Sequence, residues 1–411
     1  MYCHFEFANL GFFLKFVALK KIEFYKKMIT PKAIEAFKTI PTPFYYYDIE
    51  LLRQTLDIYK AQIDKYGYNA HYALKANADP RILEIIKSYG LGADCVSGNE
   101  VKLAVASGFD PMKVVYAGVG KSDREINDAL EAGIFSFNCE SIPEIKVIDQ
   151  LAGAKGVVAR VSIRINPDID AHTHKYISTG LEENKFGISP WSFADVVEVI
   201  SNCKNIELIG LHFHVGSQIT DLSVFELTCR RVEELQKWFI DNNVEIRNIN
   251  LGGGLGIDYQ NPVQAPIAPF ERYFETIHKN LIVRPGQNVH FEPGRALVGK
   301  CGHLITRGLY VKVGRKKKFA ILDAGMNDLI RPSLYQAYHA VENLTSALPA
   351  DIYDIVGPVC ESADCWGQDR MLAAAERGDI CAIHSAGAYG QVMAMKYNQR
   401  DLAAAVYSDK L

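Results

Sequence analysis

The stretch HYALKANADPRILEIIKSYGLGADCVS, residues 71–97, contains one complete strand–helix–strand unit. Its ends, HYALKA (71–76) and GADCVS (92–97), are nearly continuous apolar runs, as expected of strands that are buried on both faces. The amphipathic stretch between them has a capping residue, Asp79, before a proline, and it ends at Gly90. The unit therefore predicts two parallel strands joined by a helix.

The same alternation recurs along the first three quarters of the chain. Ser122 and Glu125, which have capping-box spacing, mark the start of one further helix, and Gly133 marks its end. Eight strands is the number that closes a (β/α)8 barrel, so the predicted class is α/β with a TIM-type barrel. The eight apolar runs are HYALKA (71–76), GADCVS (92–97), KVVYAG (113–118), FSFNCE (135–140), RVSIRIN (160–166), GLHFHVG (210–216), NINLGGG (248–254) and VHFEPGR (289–295).

The alternation of strands and helices stops after residue 296. From there on, loops with few helical stretches separate four strand-like runs: HLITRGLYVKV, KKKFAILDAG, DIYDIVGPVC and DICAIHSAG. This pattern predicts a second, mostly β domain, to which the strand-like FYYYD (44–48) contributes. The aromatic-rich first 27 residues end in lysines, the reverse of a signal peptide. The expected organisation is a non-native or dispensable leader (1–27), a segment of the β domain (28–48), the barrel (49–295) and a β-rich domain that completes the site (296–411).

Composition excludes several classes of protein. The net charge is −3 with both signs mixed, which argues against nucleic acid or an anionic membrane surface as a partner. No uncharged run approaches the ~18 residues that cross a bilayer. Nine scattered cysteines without a CxxC pair favour a reducing cytoplasm. The basic run 315–318, which follows Gly314, is interpreted as a solvated hairpin turn.

Polar side chains cluster at the ends of the predicted strands. A (β/α)8 barrel builds its site at the carboxyl ends of its strands, so these residues predict a site there. They are Lys75, Asp94, Ser97, Asn138, Glu140, Arg164, Asn166, His214, Ser217, Glu292 and Arg295.

One ligand, pyridoxal phosphate, accounts for Lys75, the glycine-rich segment 251–256, Ser217 and Glu292 together. Lys75 would form its Schiff base. The glycines of LGGGLG (251–256) and Ser217 would hold its phosphate, and Glu292 would keep its pyridine nitrogen protonated. His214 could stack on the ring. Taken singly, the lysine could be an exposed rim residue and the glycines a simple turn.

YALKAN, HFHVGSQ, LGGGLG and EPGR resemble the fold-type III pyridoxal-phosphate decarboxylases, the alanine-racemase-like barrel family. DAGMNDLIRPSLYQAYH (323–339), GPVCESADCWGQDR (357–370) and AGAYG (386–390) are similar to members that act on meso-2,6-diaminopimelate. The resemblance covers roughly residues 40–400. It implies decarboxylation to L-lysine and carbon dioxide, the last step of lysine biosynthesis.

The resemblance also implies residue roles. Cys360 would be the proton donor and would act in catalysis with Lys75 and His214. Cys360 and Glu361 would come from a partner subunit, which implies a homodimer with a shared active site. The cofactor would be bound by Lys75, His214, Ser217, Gly253, Gly254, Glu292, Pro293, Gly294, Arg295 and Tyr389. The amino-acid substrate would be bound by Arg295, Arg331, Tyr335, Glu361 and Tyr389.

Arg331 would favour substrates whose distal end is an amino acid over those whose distal end is an amine. A guanidinium binds a carboxylate through two parallel hydrogen bonds. A structural salt bridge is the alternative role for Arg331. The nearest alternative function is a related decarboxylase of ornithine, arginine or carboxynorspermidine.

Three other classes remain open on the same barrel. A metal-dependent hydrolase could use the HxH pairs 212/214 and 172/174, but the first strand ends in lysine, and no metal is predicted. A non-catalytic pyridoxal-phosphate carrier would resemble the barrel alone. Racemases of this fold tend to place an arginine opposite the pyridine nitrogen, where this chain has Glu292.

Overall fold

The computed structural model describes residues 29–167 and 185–411. The leader predicted at 1–27 lies outside the described residues, as do His172 and His174. The described chain divides into two compact units. The barrel unit comprises the described parts of 53–257 and 268–297, and the β unit comprises 29–52, 258–267 and 298–411.

The strands and helices follow one another along the chain with the bounds below. The strands are β1 (Phe44–Tyr47), β2 (Asn69–Ala73), β3 (Gly92–Cys95), β4 (Val114–Tyr116), β5 (Ser136–Cys139), β6 (Ala159–Ile165), β7 (Ile206–Phe213), β8 (Asn248–Asn250), β9 (Asn288–Phe291), β10 (Gly302–Val313), β11 (Lys318–Leu322), β12 (Val341–Asn343), β13 (Ala350–Val356), β14 (Cys365–Ala373), β15 (Ile380–Ile383) and β16 (Ala404–Tyr407). The α-helices are α1 (Pro31–Phe37), α2 (Ile49–Tyr66), α3 (Pro80–Ser88), α4 (Gly98–Ala106), α5 (Asp123–Ala132), α6 (Ile142–Lys155), α7 (Phe193–Asn202), α8 (Ser223–Asp241), α9 (Phe270–Asn280), α10 (Arg295–Val298) and α11 (Arg331–Tyr335).

Strands β2 to β9 form a closed parallel barrel in sequence order. The barrel closes where β9 pairs with β2, with Asn69 opposite His290 and Ala70 opposite Phe291. Every residue of β3 and β5 is buried, as the continuous apolar runs require. The structure confirms the predicted (β/α)8 barrel.

The barrel strands end earlier than the apolar runs suggest. β2 stops at Ala73, and the next three residues form a 3₁₀ turn, Leu74–Ala76. The carboxyl-terminal part of each run is therefore a loop at the barrel's end rather than part of the sheet. This difference places Lys75, His214 and Glu292 beyond the ends of their strands, at the end of the barrel.

Local capping explains where the connecting helices begin. The Asp79 side chain accepts from the backbone N–H of Arg81 and Ile82, at 3.0 and 3.2 Å, at the start of α3. The predicted capping box of Ser122 and Glu125 opens α5. These bonds satisfy backbone donors that the first helical turn leaves without partners.

The β unit is built on an eight-stranded sheet, which confirms the predicted, mostly β second domain. Its main path runs in the order β12, β15, β10, β11, β13, β14. β1 pairs antiparallel with β10 and parallel with β16. Buried apolar side chains from α1, β1 and β10, including Phe37, Phe44 and Ile305, form a core cluster in this unit. The basic run 315–318 turns the chain between β10 and β11, where residues 315–317 are exposed.

Candidate active site at the carboxyl ends of the barrel strands

Lys75 lies just beyond the first barrel strand, in the turn that follows β2. Its Nζ donates to Oδ2 of Asp94, on β3, at 3.1 Å. The lysine side chain is 35% exposed, whereas that of Asp94 is fully buried. The other oxygen of Asp94, Oδ1, has no hydrogen-bond partner among the described residues. A buried carboxylate that is only half bonded is costly, so this corner of the barrel suits a polar ligand.

Glu292 follows the last barrel strand and is buried. Nδ2 of Asn138 and Nδ2 of Asn250 donate to its Oε1 at 3.2 and 2.7 Å. Nε2 of His212 donates to its Oε2 at 3.0 Å. Three other strands, β5, β7 and β8, thus supply donors to one carboxylate.

The pKa values of two buried acids of the barrel, Glu292 and Asp94, are shifted in opposite directions. Burial opposes the charge on Glu292, but His212 and Lys75 outweigh it and hold the pKa of Glu292 below its usual range. Burial and the neighbouring Glu292 raise the pKa of Asp94, against the effect of Lys75. The barrel end therefore keeps Glu292 ionised and holds Asp94 closer to its protonated form.

His214 follows β7 and faces the glycine segment after β8. Its Nδ1 accepts from the backbone N–H of Gly253 at 3.3 Å. Burial, together with the positive charges of Arg164 and Lys75, lowers the pKa of His214 well below its usual value. The ring is therefore neutral at physiological pH and offers a flat face rather than a charge.

The glycine segment 252–254 has no room for side chains. Gly252 has φ +67°, and a Cβ on it would lie 2.4 Å from the carbonyl oxygen of Phe213. A Cβ on Gly253 would lie 2.3 Å from the carbonyl oxygen of Glu292. Close backbone approach between neighbouring strand ends therefore requires glycine here. Beside this segment Nη2 of Arg295 donates to Oγ of Ser217 at 3.0 Å, which brings a hydroxyl and a guanidinium together.

A second buried ion pair lies at the same end of the barrel. Nη1 of Arg164 donates to Oε1 of Glu140 at 2.6 Å. The carboxylate of Glu140 also accepts from the backbone N–H of Gly118 at 3.1 Å and of Gly187 at 2.8 Å. Glu140 therefore connects three loops at this end of the barrel, which are its own loop and those of Gly118 and Gly187.

Arg331 and Tyr335 lie in α11, within the β unit. The Arg331 guanidinium is buried, 5.4 Å from the ring centre of Tyr259 and 5.8 Å from that of Tyr335. Its Nε donates to Nε2 of His339 at 3.4 Å. His339 in turn donates from Nδ1 to the carbonyl oxygen of His384 at 2.9 Å, which fixes its neutral tautomer. Two aromatic rings and an imidazole therefore orient this cation.

Cys360 and Glu361 lie in the loop between β13 and β14, and both are exposed in the single chain. The backbone N–H of Cys360 donates to Oδ1 of Asn398 at 3.4 Å. Oε1 of Glu361 accepts from the Tyr397 hydroxyl at 2.5 Å. Tyr389, half-buried, has a left-handed backbone with φ +55°, a conformation that side-chain-bearing residues adopt rarely.

The structure thus brings Lys75, His214, Ser217, Glu292 and Arg295 and the glycine segment to the same end of the barrel. Four polar strand ends have no individual role predicted from the sequence: Asp94, Asn138, Glu140 and Arg164. Asn250 is not among the polar strand ends that the sequence predicts. The only signal for Asn250 is its polarity in the strand NIN directly before LGGGLG. The partners of Glu292 come from distant strands, so local sequence gives no hint of their pairing.

Residues 50–299 match the profile of the pyridoxal binding domain of pyridoxal-dependent decarboxylases. A diaminopimelate decarboxylase from Bacteroides thetaiotaomicron is 54% identical over 373 residues, which cover 90% of this chain and 97% of that protein. The chain belongs to the diaminopimelate decarboxylase family. A member of this family from Neisseria meningitidis serogroup A is 42% identical, with 90% of each chain covered. The crystal structure of the diaminopimelate decarboxylase from Helicobacter pylori, complexed with L-lysine, matches with a TM-score of 0.86 at 40% identity and covers 92% of this chain and 94% of that one.

Members of this pyridoxal-dependent decarboxylase family are carboxy-lyases, and their cofactor is pyridoxal phosphate. The barrel end fits that group on three observations of its own. It has an amine beside a half-bonded buried acid, an ionised carboxylate buried among donors, and a glycine segment in which added Cβ atoms would clash.

Two further findings concern the described residues alone. Within 29–167 and 185–411, no group of three or more His, Cys, Asp or Glu side chains could hold a metal ion. In those same ranges, every helix is too short or too polar to cross a membrane.

Proposed function

We propose that this chain decarboxylates meso-2,6-diaminopimelate to L-lysine and carbon dioxide, the last step of lysine biosynthesis. The observation that carries the proposal is the setting of Glu292, a buried carboxylate that accepts hydrogen bonds from His212 and from the Asn138 and Asn250 amides. An ionised acid at this point suits a protonated pyridine nitrogen, which favours decarboxylation over racemisation. The high identity to named diaminopimelate decarboxylases supports the substrate.

The barrel residues would hold pyridoxal phosphate, which when bound supplies an electron sink for the bond to the departing carboxylate. Lys75 would hold it covalently, and Glu292 would hold a proton at its ring nitrogen. His214, neutral and flat, would pack on the ring. The remaining residues proposed to bind it are Ser217, Gly253, Gly254, Pro293, Gly294, Arg295 and Tyr389.

Recognition of the substrate's distal end would depend on charge pairing. Arg331 and Arg295 would grip its carboxylate, and Tyr335 and Tyr389 would line the same subsite. Glu361 would bind the distal ammonium, because a carboxylate complements it. The buried, ring-flanked position of the Arg331 guanidinium supports this role, since burial strengthens a charge-assisted bond.

Protonation would fall to Cys360, whose Sγ would return a proton to Cα after carbon dioxide leaves. We propose that Cys360 and Glu361 reach the site of a partner subunit in a homodimer, as their exposure in the single chain allows. The eight cysteines in the described part of the chain are thiols rather than disulfides, which supports a reducing, cytoplasmic location.

Parallel incubations with three amino acids test the substrate. Purified protein with pyridoxal phosphate is given meso-diaminopimelate, ornithine or arginine, and carbon dioxide is measured. Release from meso-diaminopimelate alone, with L-lysine as the product, is expected. Release from ornithine or arginine without release from meso-diaminopimelate would instead favour a relative specific for those substrates.

Removal of one amine tests the covalent anchor. Lys75→Ala is expected to lose the near-visible absorbance of the lysine-bound cofactor and at least about 1,000-fold in rate, since no other amine replaces it. Lys60→Ala, which removes a half-buried lysine paired with Asp64, serves as the matched control and keeps both properties. A Lys75→Ala protein that retained the absorbance band would refute the assignment.

A further inference from the structure

Two segments of the barrel end, 216–219 after β7 and 252–257 after β8, lie side by side. The backbone N–H of Ile219 donates to the carbonyl oxygen of Gly254 at 2.9 Å, and that of Gly256 donates to the carbonyl oxygen of Ile219 at 2.8 Å. These two bonds form an isolated parallel bridge between Ile219 and Leu255, beyond the ends of the barrel strands. A bridge of two hydrogen bonds between loops is weak by itself, so further hydrogen bonds would strengthen the contact between the two segments.

The side chain of Gln218 supplies two further hydrogen bonds. Its Nε2 donates to the carbonyl oxygen of Ile257 at 2.6 Å, and its Oε1 accepts from the N–H of Ile257 at 3.2 Å. The carboxamide offers an N–H donor and an oxygen acceptor on the same edge, so it can bond the carbonyl oxygen and the N–H of one residue together. It therefore extends the bridge by two bonds, as an additional strand residue would.

The backbone around Gln218 is shaped to allow this contact. Gln218 has φ +63°, a left-handed conformation that persists only where its surroundings hold it. A Cβ on Gly256 would lie 3.1 Å from Cδ of Gln218 and 3.0 Å from its carbonyl carbon. Glycine at 256 therefore leaves the space through which the glutamine side chain crosses to Ile257.

We propose that Gln218 is a positioning residue for the cofactor's phosphate. It joins the segment that carries Ser217 to the segment that carries Gly254, the two groups that the sequence assigns to the phosphate. This inference rests on the proposed function, in which both bind the cofactor. A phosphate is bound well only when hydroxyl and N–H donors converge on it at hydrogen-bond distance. Without the Gln218 side chain, the described hydrogen bonds between the two segments are the two of the Ile219–Leu255 bridge. The donors to the phosphate on the two segments would then move apart.

The test compares two ligands that differ only in the phosphate. Binding of pyridoxal phosphate and of pyridoxal is titrated by absorbance and fluorescence for the wild-type protein, Gln218→Ala and Gln218→Gly. Both variants are expected to lose about tenfold in affinity for pyridoxal phosphate while affinity for pyridoxal changes little. The glycine variant adopts the left-handed conformation without strain, so its loss reports the side-chain bonds alone.

A matched control removes a similar amide at the opposite end of the barrel. Gln287, before β9, accepts from the N–H of Arg284 at 3.0 Å and donates to the carbonyl oxygen of Ile246 at 2.8 Å. Gln287→Ala should keep the wild-type ratio of the two affinities. Gln218 variants that keep this ratio while unfolding at lower temperature would reveal a purely structural role and overturn the proposal. Equal affinities in the wild-type protein would instead overturn the phosphate assignment itself.

Discussion

The carboxylates of Glu292 and Asp94 lie at the same end of the barrel but meet different neighbours. Glu292 receives three side-chain hydrogen bonds, one of them from His212, and its pKa is lowered. Asp94 receives one bond from Lys75, and burial raises its pKa. Because donors stabilise the charged form and burial penalises it, the pKa of the same functional group is shifted in opposite directions within one site.

Glu292→Gln tests whether that charge matters. The amide keeps the shape of the side chain but removes the negative charge that would hold a proton at the cofactor's ring nitrogen. We expect kcat for carbon dioxide release to fall at least about 100-fold, in the range seen when a positioned acid or base is lost. Steady-state assays of the cofactor-loaded protein measure this.

The matched control for Glu292→Gln is Glu342→Gln in the β unit. Glu342 is also buried and also pairs with a histidine, His384, at 3.0 Å. Its loss should lower thermal stability while kcat stays within a few-fold of wild type. Equal losses of kcat in both variants would refute a specific role for the Glu292 charge.

Among the secondary-structure elements, the loop between β11 and α11 carries a buried acid, Asp328. Oδ2 of Asp328 accepts from the N–H of Gly325 at 2.9 Å, whereas Oδ1 has no partner among the described residues. Burial and the nearby acids Asp323 and Asp364 raise the pKa of Asp328 to about 6, against the effect of that hydrogen bond and of Arg400. The folded protein thus binds this proton more tightly than the unfolded chain does.

The sign of the resulting pH dependence follows directly. Because the native state holds the extra proton between about pH 4 and pH 6, the free energy of unfolding falls as pH rises through that range. Asp328→Asn removes the charge and keeps an acceptor for Gly325. We expect it to raise the free energy of unfolding by about 1–2 kcal/mol at pH 7 and by almost nothing below about pH 4. Urea titrations across pH measure the difference.

Asp258→Asn is the control of opposite sign. Hydrogen bonds from Asn261 and Gln260 outweigh burial and lower the pKa of Asp258. Its charge therefore stabilises the protein at neutral pH, and that contribution disappears as pH falls through its folded pKa. The asparagine variant should be destabilised at pH 7 only. A stabilisation by Asp328→Asn that did not vary with pH would contradict the linkage.

For the molecule as a whole, the proposed homodimer would build each active site from two chains. Lys75 belongs to the barrel unit, and Cys360 lies exposed in the β unit. If Cys360 acts in the active site of the partner subunit, no chain builds an active site from its own Lys75 and its own Cys360. The oligomeric state and the catalytic chemistry then depend on each other.

Mixing two inactive variants tests that sharing. Equal amounts of Lys75→Ala and Cys360→Ala, exchanged under mild denaturation, give dimers of which half are mixed. Each mixed dimer has one site with both side chains, so ~25% of wild-type activity is expected from the symmetry of the assembly. Activity no greater than the average of the two parents, with dimers present by size-exclusion chromatography, would contradict a shared site.

Much of the fold and part of the site could be predicted from local patterns. The eight apolar runs predict the barrel because parallel strands buried on both faces need continuous apolar side chains. The lysine of YALKAN, the glycines of LGGGLG and the acid of EPGR mark strand ends because charge and glycine interrupt those runs. The strand bounds were less predictable, since HYALKA continues past Ala73 into a 3₁₀ turn without losing its apolar character.

The barrel, the order of its strands and the residue types at their ends can be predicted from the chain alone, because hydrophobic periodicity and capping are local properties. Which of those residues meet depends on the folded arrangement. Asn138 reaches Glu292 across 154 positions of the chain, and the closure of the barrel creates that contact. The protonation of Glu292 and the bonding of Gln218 to Ile257 follow from such contacts, since burial and hydrogen bonding are properties of the folded neighbourhood rather than of the residue.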